Sequence, residues 1–191
     1  MSTPDIVNDL IKKRRSVFPS SYIDKEISKE IIEQVLENAN WAPTHKRTEP
    51  WRFKVLTGEA KNRMGGVMAD WYKSNTPEEK FSPIKFKKLS KNPGKAGCLI
   101  AVCMKRDPKE SLPEWEEISA VAMAVQNMYL TCTAYGIGCY WSSTKPALMA
   151  NEFLGLKDGE RCLGLFYMGY FEGDLPEGSR ESSISDKVAW I

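Results

Sequence analysis

Arg14, Arg15 and Ser16 stand side by side where an apolar-periodic segment ends, and all three residue types suit the gripping of a phosphate. A guanidinium is a planar fork that matches phosphate oxygens two at a time, and its charge strengthens each bond. Ser16 adds a hydroxyl. Taken alone, such a run is more often a solvated helix end. Cations there complement the negative end of the helix dipole, which accounts for part of Lys12-Lys13-Arg14-Arg15.

A second segment runs from Trp41 to Trp51 and carries Thr44, His45 and Lys46. Pro43 and Pro50 bracket it, so it reads as a loop between a helix and a strand. His45 is the only histidine; its ordinary reading is a hydrogen-bonded loop residue. A third segment is Gly136-Ile137-Gly138-Cys139-Tyr140-Trp141-Ser142-Ser143. Its glycines let backbone approach a ring system closely. Trp141 can stack on a planar ligand, and Ser142 and Ser143 can donate hydrogen bonds. The plainer alternative is a turn into a strand with a core tryptophan. The G-x-G is too short for a dinucleotide fingerprint, which needs a further glycine opening a helix. Together the three segments suggest an anion-bearing cofactor.

The elements that must position them are legible in the periodicity. Thr3 is the expected cap of a first helix with Pro4 in its first turn, and Ile6, Val7, Leu10 and Ile11 form its stripe. Ser28 starts a second helix, whose buried face is Ile31, Ile32, Val35, Leu36 and Ala39. Residues 51–57 read as a strand, with a helix through Met64, Val67, Met68 and Trp71 after Gly58. Residues 97–104 are nearly continuous apolar, as in a strand covered on both faces. The longest helix spans 117–135 and leaves little room for a polar face, so it is central or covered by a partner subunit. A strand over 139–142, a short helix over 146–154 and a strand over 161–170 complete an α+β layer structure.

The 191 residues, 42% hydrophobic, suffice for one domain over 1–191 with a sizeable core. A net charge of +2 does not point to nucleic acid, and no apolar run is long enough for a bilayer. The start of the chain lacks the pattern of a secretory signal. The count of five cysteines is odd, and they show no redox or zinc spacing, which favours a reduced, cytoplasmic protein without a metal. Six lysines from Lys80 to Lys95, with Phe81 and Phe86 between them, read first as a solvated face.

In this order the segments resemble the nitroreductase family, and most closely its small, minimal members. The resemblance rests on R-R-S after the first helix, A-P-x-H-K-x-x-x-P-W into the first strand, an apolar helix ending in G-x-G, W-x-S, and a last strand closing on Gly169-Tyr170. It implies an α/β/α layered fold with a central mixed, mainly antiparallel sheet and a long buried central helix. It also implies a homodimer that binds FMN at the subunit interface. Arg14, Arg15 and Ser16 would hold the phosphate, the ribityl chain and part of the ring. Trp41 and His45 would reach across from the partner, and Trp141, Ser142 and Ser143 would line the other side. The stretch 131–136 resembles a region assigned to the nicotinamide nucleotide. The implied activity is transfer of reducing equivalents from NAD(P)H through FMN to a nitroaromatic, a quinone or a related small molecule. Lys46 or Arg15 would supply charge at the flavin edge, and Arg180 is a candidate for a phosphate contact. The sequence departs from the wider family at Arg47, Glu49 and Phe171, where asparagine, glutamine and proline are usual, and Trp41 replaces a basic residue of some close relatives. Two rivals are a flavin-binding storage or sensor protein without turnover, and a flavin-free basic interaction protein built on the Lys80 to Lys95 run.

Overall fold

The first helix, α1 (Thr3–Lys13), is capped one residue before the expected position, in a computed structural model that describes residues 1–191. The Ser2 hydroxyl accepts the Asp5 N–H at 3.4 Å, and the Asp5 carboxylate takes the Ser2 N–H at 3.0 Å. This reciprocal cap leaves Thr3 and Pro4 inside the first turn. None of α1 is buried, and Ile6 is 54% exposed. Next come α2 (Lys29–Asn40), β1 (Trp51–Leu56), α3 (Glu59–Ser74), α4 (Pro83–Lys95) and β2 (Cys98–Lys105). They are followed by α5 (Glu114–Ala134), β3 (Gly138–Ser142), α6 (Lys145–Leu148) and β4 (Glu160–Gly169).

The four strands form one antiparallel sheet in the order β1-β2-β4-β3. A parallel bridge between Ser16 and Cys139 gives it a mixed edge. Alternation along β2 builds two cores. Cys98, Ile100, Val102 and Met104 pack with α2 and α5, while Leu99, Ala101 and Cys103 pack with α3, α4 and α6. The result is the expected three-layer sandwich, and β2 is buried on both faces. At Gly164 of β4, φ is +140, and a Cβ would come within 2.6 Å of both the Ser142 carbonyl oxygen and Trp141 Nε1. The chain passes so close there that only glycine fits.

Two further elements differ from the sequence reading. Helix α5 starts earlier, at Glu114, directly after Pro113. It buries Ala120, Val121, Ala124, Val125, Met128 and Cys132 on one face only. Trp115, Ala122 and Met123 form an exposed stripe on the other, and Trp115 is 66% exposed. The expected helix over 146–154 is a single helical turn, α6, followed by turns that end at Gly155 with φ +58. All five cysteines are free and buried, and burial pushes the Cys98 thiol up to about 12. No helix is long and apolar enough to cross a membrane.

Candidate cofactor site

Arg14 caps the C-terminus of α1, where its side chain leaves the helix and lies over the Tyr129 ring, 5.2 Å from the centroid. The guanidinium is half-buried and joins no ion pair. Ser16 follows, exposed, and its backbone bridges to Cys139 while Val17 N–H donates to the Cys139 carbonyl at 3.1 Å. The bridge pins the Arg14–Ser16 turn against β3. Tyr129 of α5 fills the space between: its hydroxyl accepts the Trp141 N–H at 2.6 Å. Burial raises the Tyr129 pKa, opposed by the hydrogen bonds from Trp141 and Ser16 and by the charge of Arg14. Arg14, Ser16 and the Trp141 backbone thus meet at one tyrosine, with Ser142 and Ser143 following along the chain.

Trp141 packs half-buried on the core, its indole against the bare backbone of Gly164. Its Nε1 and the Thr144 hydroxyl are the two buried side-chain polar atoms without a partner. Unpartnered buried donors are costly and point to ligand or water contacts at such places.

Arg15 goes elsewhere. Its Nε donates to the Pro176 carbonyl at 2.9 Å, and its NH1 to Lys12 and Arg14 carbonyls at 2.5 and 2.9 Å. The guanidinium ties the C-terminal segment to the end of α1. Beneath it lies a 420 Å³ cavity bounded by Lys13, Arg15, Thr133, Gly136, Phe171 and Asp174. The stretch 131–136 thus contributes to a cavity beside the Arg14 turn. Arg180 hydrogen-bonds the carbonyl of its own neighbour, Ser179.

The second segment is divided: Trp41 lines a cavity with Leu10, Thr131 and Tyr135 near the C-terminal end of α5, while the 44–49 loop sits at the other end of that helix. His45 Nδ1 meets Glu116 Oε2 at 2.6 Å, and Lys46 Nζ donates to the Ser111 carbonyl at 2.9 Å. Trp41 is 78% exposed and donates Nε1–H to Glu37. From Glu116 to Tyr129 is thirteen helical positions, about 20 Å at 1.5 Å per residue. Within one chain, therefore, His45 and Lys46 do not reach the Arg14 cluster.

Two groups escaped the sequence reading. Tyr129 lies within the expected apolar helix, and its phenol, which needs a partner when buried, is the available signal. Glu116 lay outside the expected helix. The lysines of α4 stand outward, while Phe81 and Phe86 turn in toward Tyr72. That is the solvated face first expected. It lies on the layer opposite α5, away from Arg14.

The sequence pattern of the nitroreductase family matches residues 11–170, from the end of α1 through the last strand. The chain belongs to the nitroreductase family. YfhC of Bacillus subtilis, named for NAD(P)H nitroreductase activity, is 29% identical over 95% of this chain and 92% of its own length. A nitroreductase-like family protein from Bacillus cereus superposes with a TM-score of 0.83 at 32% identity, covering 100% of this chain and 98% of that one. The FMN-dependent nitroreductase NfnB of Mycobacterium smegmatis, solved with NADPH, shares the fold at a TM-score of 0.78 and 16% identity, with both chains covered completely. As a nitroreductase, the chain carries the three-layer sandwich of its family, with α5 as the helix between the two groups of candidate residues.

Proposed function

We propose that the protein is an FMN-dependent oxidoreductase that passes reducing equivalents from NAD(P)H to a nitroaromatic, a quinone or a related small acceptor. The observation that carries this is Arg14, a half-buried guanidinium without a counter-ion, held near Ser16 and over Tyr129, whose hydroxyl takes the Trp141 N–H. A cation in that position is matched to a phosphate monoester. Family membership supplies the rest of the reading. The comparisons with YfhC and NfnB support NAD(P)H as the donor.

FMN, when bound, supplies the electron store between donor and acceptor. The chain's own residues do the holding. Arg14 and Ser16 grip the phosphate end, Trp141, Ser142 and Ser143 form a wall, and Tyr129 fixes that wall by accepting the Trp141 N–H. Arg15 acts indirectly by tying down the segment through Pro176. No acid–base pair is required of the protein.

The site is completed by a second copy. Helix α1 buries nothing, and the outer stripe of α5 is apolar and exposed. Two copies paired antiparallel along α5 bring His45 of one to the Arg14 cluster of the other, and covering the exposed stripes gives the pairing its stability. Five free, buried thiols fit a reducing, cytoplasmic location.

The test is a visible spectrum. Purified protein, or protein given FMN, shows bound-flavin absorption that NADH or NADPH bleaches without oxygen and a nitroaromatic restores. A yellow protein that neither nucleotide bleaches would show a flavin store or sensor instead. A colourless protein that ignores added FMN would end both readings.

A further inference from the structure

Three carboxylates open α5, and each holds a different piece of chain. Glu114 pairs with Arg161 of β4 at 3.0 Å. Glu117, buried, pairs with Arg106 and takes the Asp107 N–H at 2.8 Å. Glu116 takes His45 at 2.6 Å. The helix dipole favours acids in this turn, yet it does not choose their partners.

The loop that Glu116 holds is under strain. Lys46, Arg47 and Glu49 have φ of 50, 55 and 42, in the left-handed region that side chains with a Cβ avoid. Such backbone persists only where its surroundings over-determine it, and it gathers at binding sites. Two side-chain anchors do so here, and both lead back to the first turn of α5. One is the direct contact between His45 and Glu116. The other runs from Lys46 to the Ser111 carbonyl. Ser111 is held by the Asp107 carboxylate, which takes its N–H at 3.1 Å and also its hydroxyl. Asp107 is in turn held by Glu117 through its own N–H. Within the loop, the Thr44 hydroxyl accepts the Glu49 N–H at 3.2 Å.

We propose that Glu116 is a positioning residue of the cofactor site: it orients the His45 ring and holds the strained 44–49 loop in its binding shape before the cofactor arrives. The proposal rests on the reading that His45 meets FMN across the dimer. A side-chain pair open to solvent adds little to global stability, and here His45 is 58% and Glu116 24% exposed at the side chain. The contact therefore acts on the loop rather than on the fold. In the bound state, the order already present spares the loop an ordering cost.

The experiment compares Glu116→Ala, Glu116→Gln and His45→Ala with the unaltered protein. It measures FMN affinity by flavin fluorescence, amide exchange across 44–49 without cofactor, and melting temperature. Glu116→Ala should speed exchange in the loop and weaken FMN about tenfold with little change in melting. Glu116→Gln, which keeps an acceptor for the ring N–H, should restore most of both. Unchanged loop exchange or unchanged affinity in Glu116→Ala overturns the positioning role, as does a Gln variant that fails like Ala with the fold intact. His45→Ala separates the two ideas. If it binds FMN normally, the assignment of His45 to the cofactor is wrong. If it loses FMN while Glu116→Ala does not, only the positioning role falls.

Discussion

Two adjacent arginines have taken opposite duties. Arg14 keeps its charge unpaired over Tyr129, whereas Arg15 spends its donors on three carbonyls. Side-chain direction at the helix terminus makes the difference, and a run of letters does not encode it. Arg14→Ala should weaken FMN by roughly ten- to a hundredfold, the worth of one hydrogen bond to a charged group, measured by fluorescence titration. Arg14→Lys should recover part of that, because a point charge replaces a fork. Arg15→Ala should instead loosen the 173–178 segment, seen as faster amide exchange there. The segments that carry the candidate residues were legible in the sequence, and the backbone bridge from Ser16 to Cys139 sets two of them side by side. Tyr129, which lies under Arg14 and takes the Trp141 N–H, was not legible. An aromatic in an apolar helix looks like core until its hydroxyl finds a donor.

At the scale of elements, the first turn of α5 is the junction of the molecule. Glu117 has a fully buried side chain, and its carboxylate serves both Arg106 and the Asp107 amide. Glu117→Ala strands a half-buried arginine and should cost about 3–5 kcal/mol, read as a lowered denaturation midpoint with an unchanged slope. The sequence placed this helix three residues late because charges at 114, 116 and 117 broke its apolar pattern. Those charges are buried or paired through partners from β4, the His45 loop and the loop before the helix. Long-range pairing of this kind leaves no local trace. The strands were easier to place: β2 is apolar throughout because helices cover both of its faces.

For the whole molecule, the decisive surface is the one that no element of this chain covers. Ile6, Val7 and Ile11 of α1, Trp115 and Met123 of α5, and Trp41 are each exposed. Met123→Glu puts a charge on the exposed stripe of α5. If the proposed pairing is right, sedimentation at micromolar concentration should show dimer for the unaltered protein and monomer for this variant, and bound FMN should fall with it. The sequence offered two accounts of the apolar helix, central or partner-covered. The exposed stripe favours the second.

The separation of His45 from Arg14 along α5 has a genetic corollary. If each site draws one end from each copy, a chain damaged only at Arg14 and a chain damaged only at His45 are both inactive as pure proteins. Mixed, they form a hybrid in which one site inherits both lesions and the other inherits neither. Two broken alleles in one cell would then rescue each other, whereas two lesions carried on the same allele would leave every hybrid site with damage at one end.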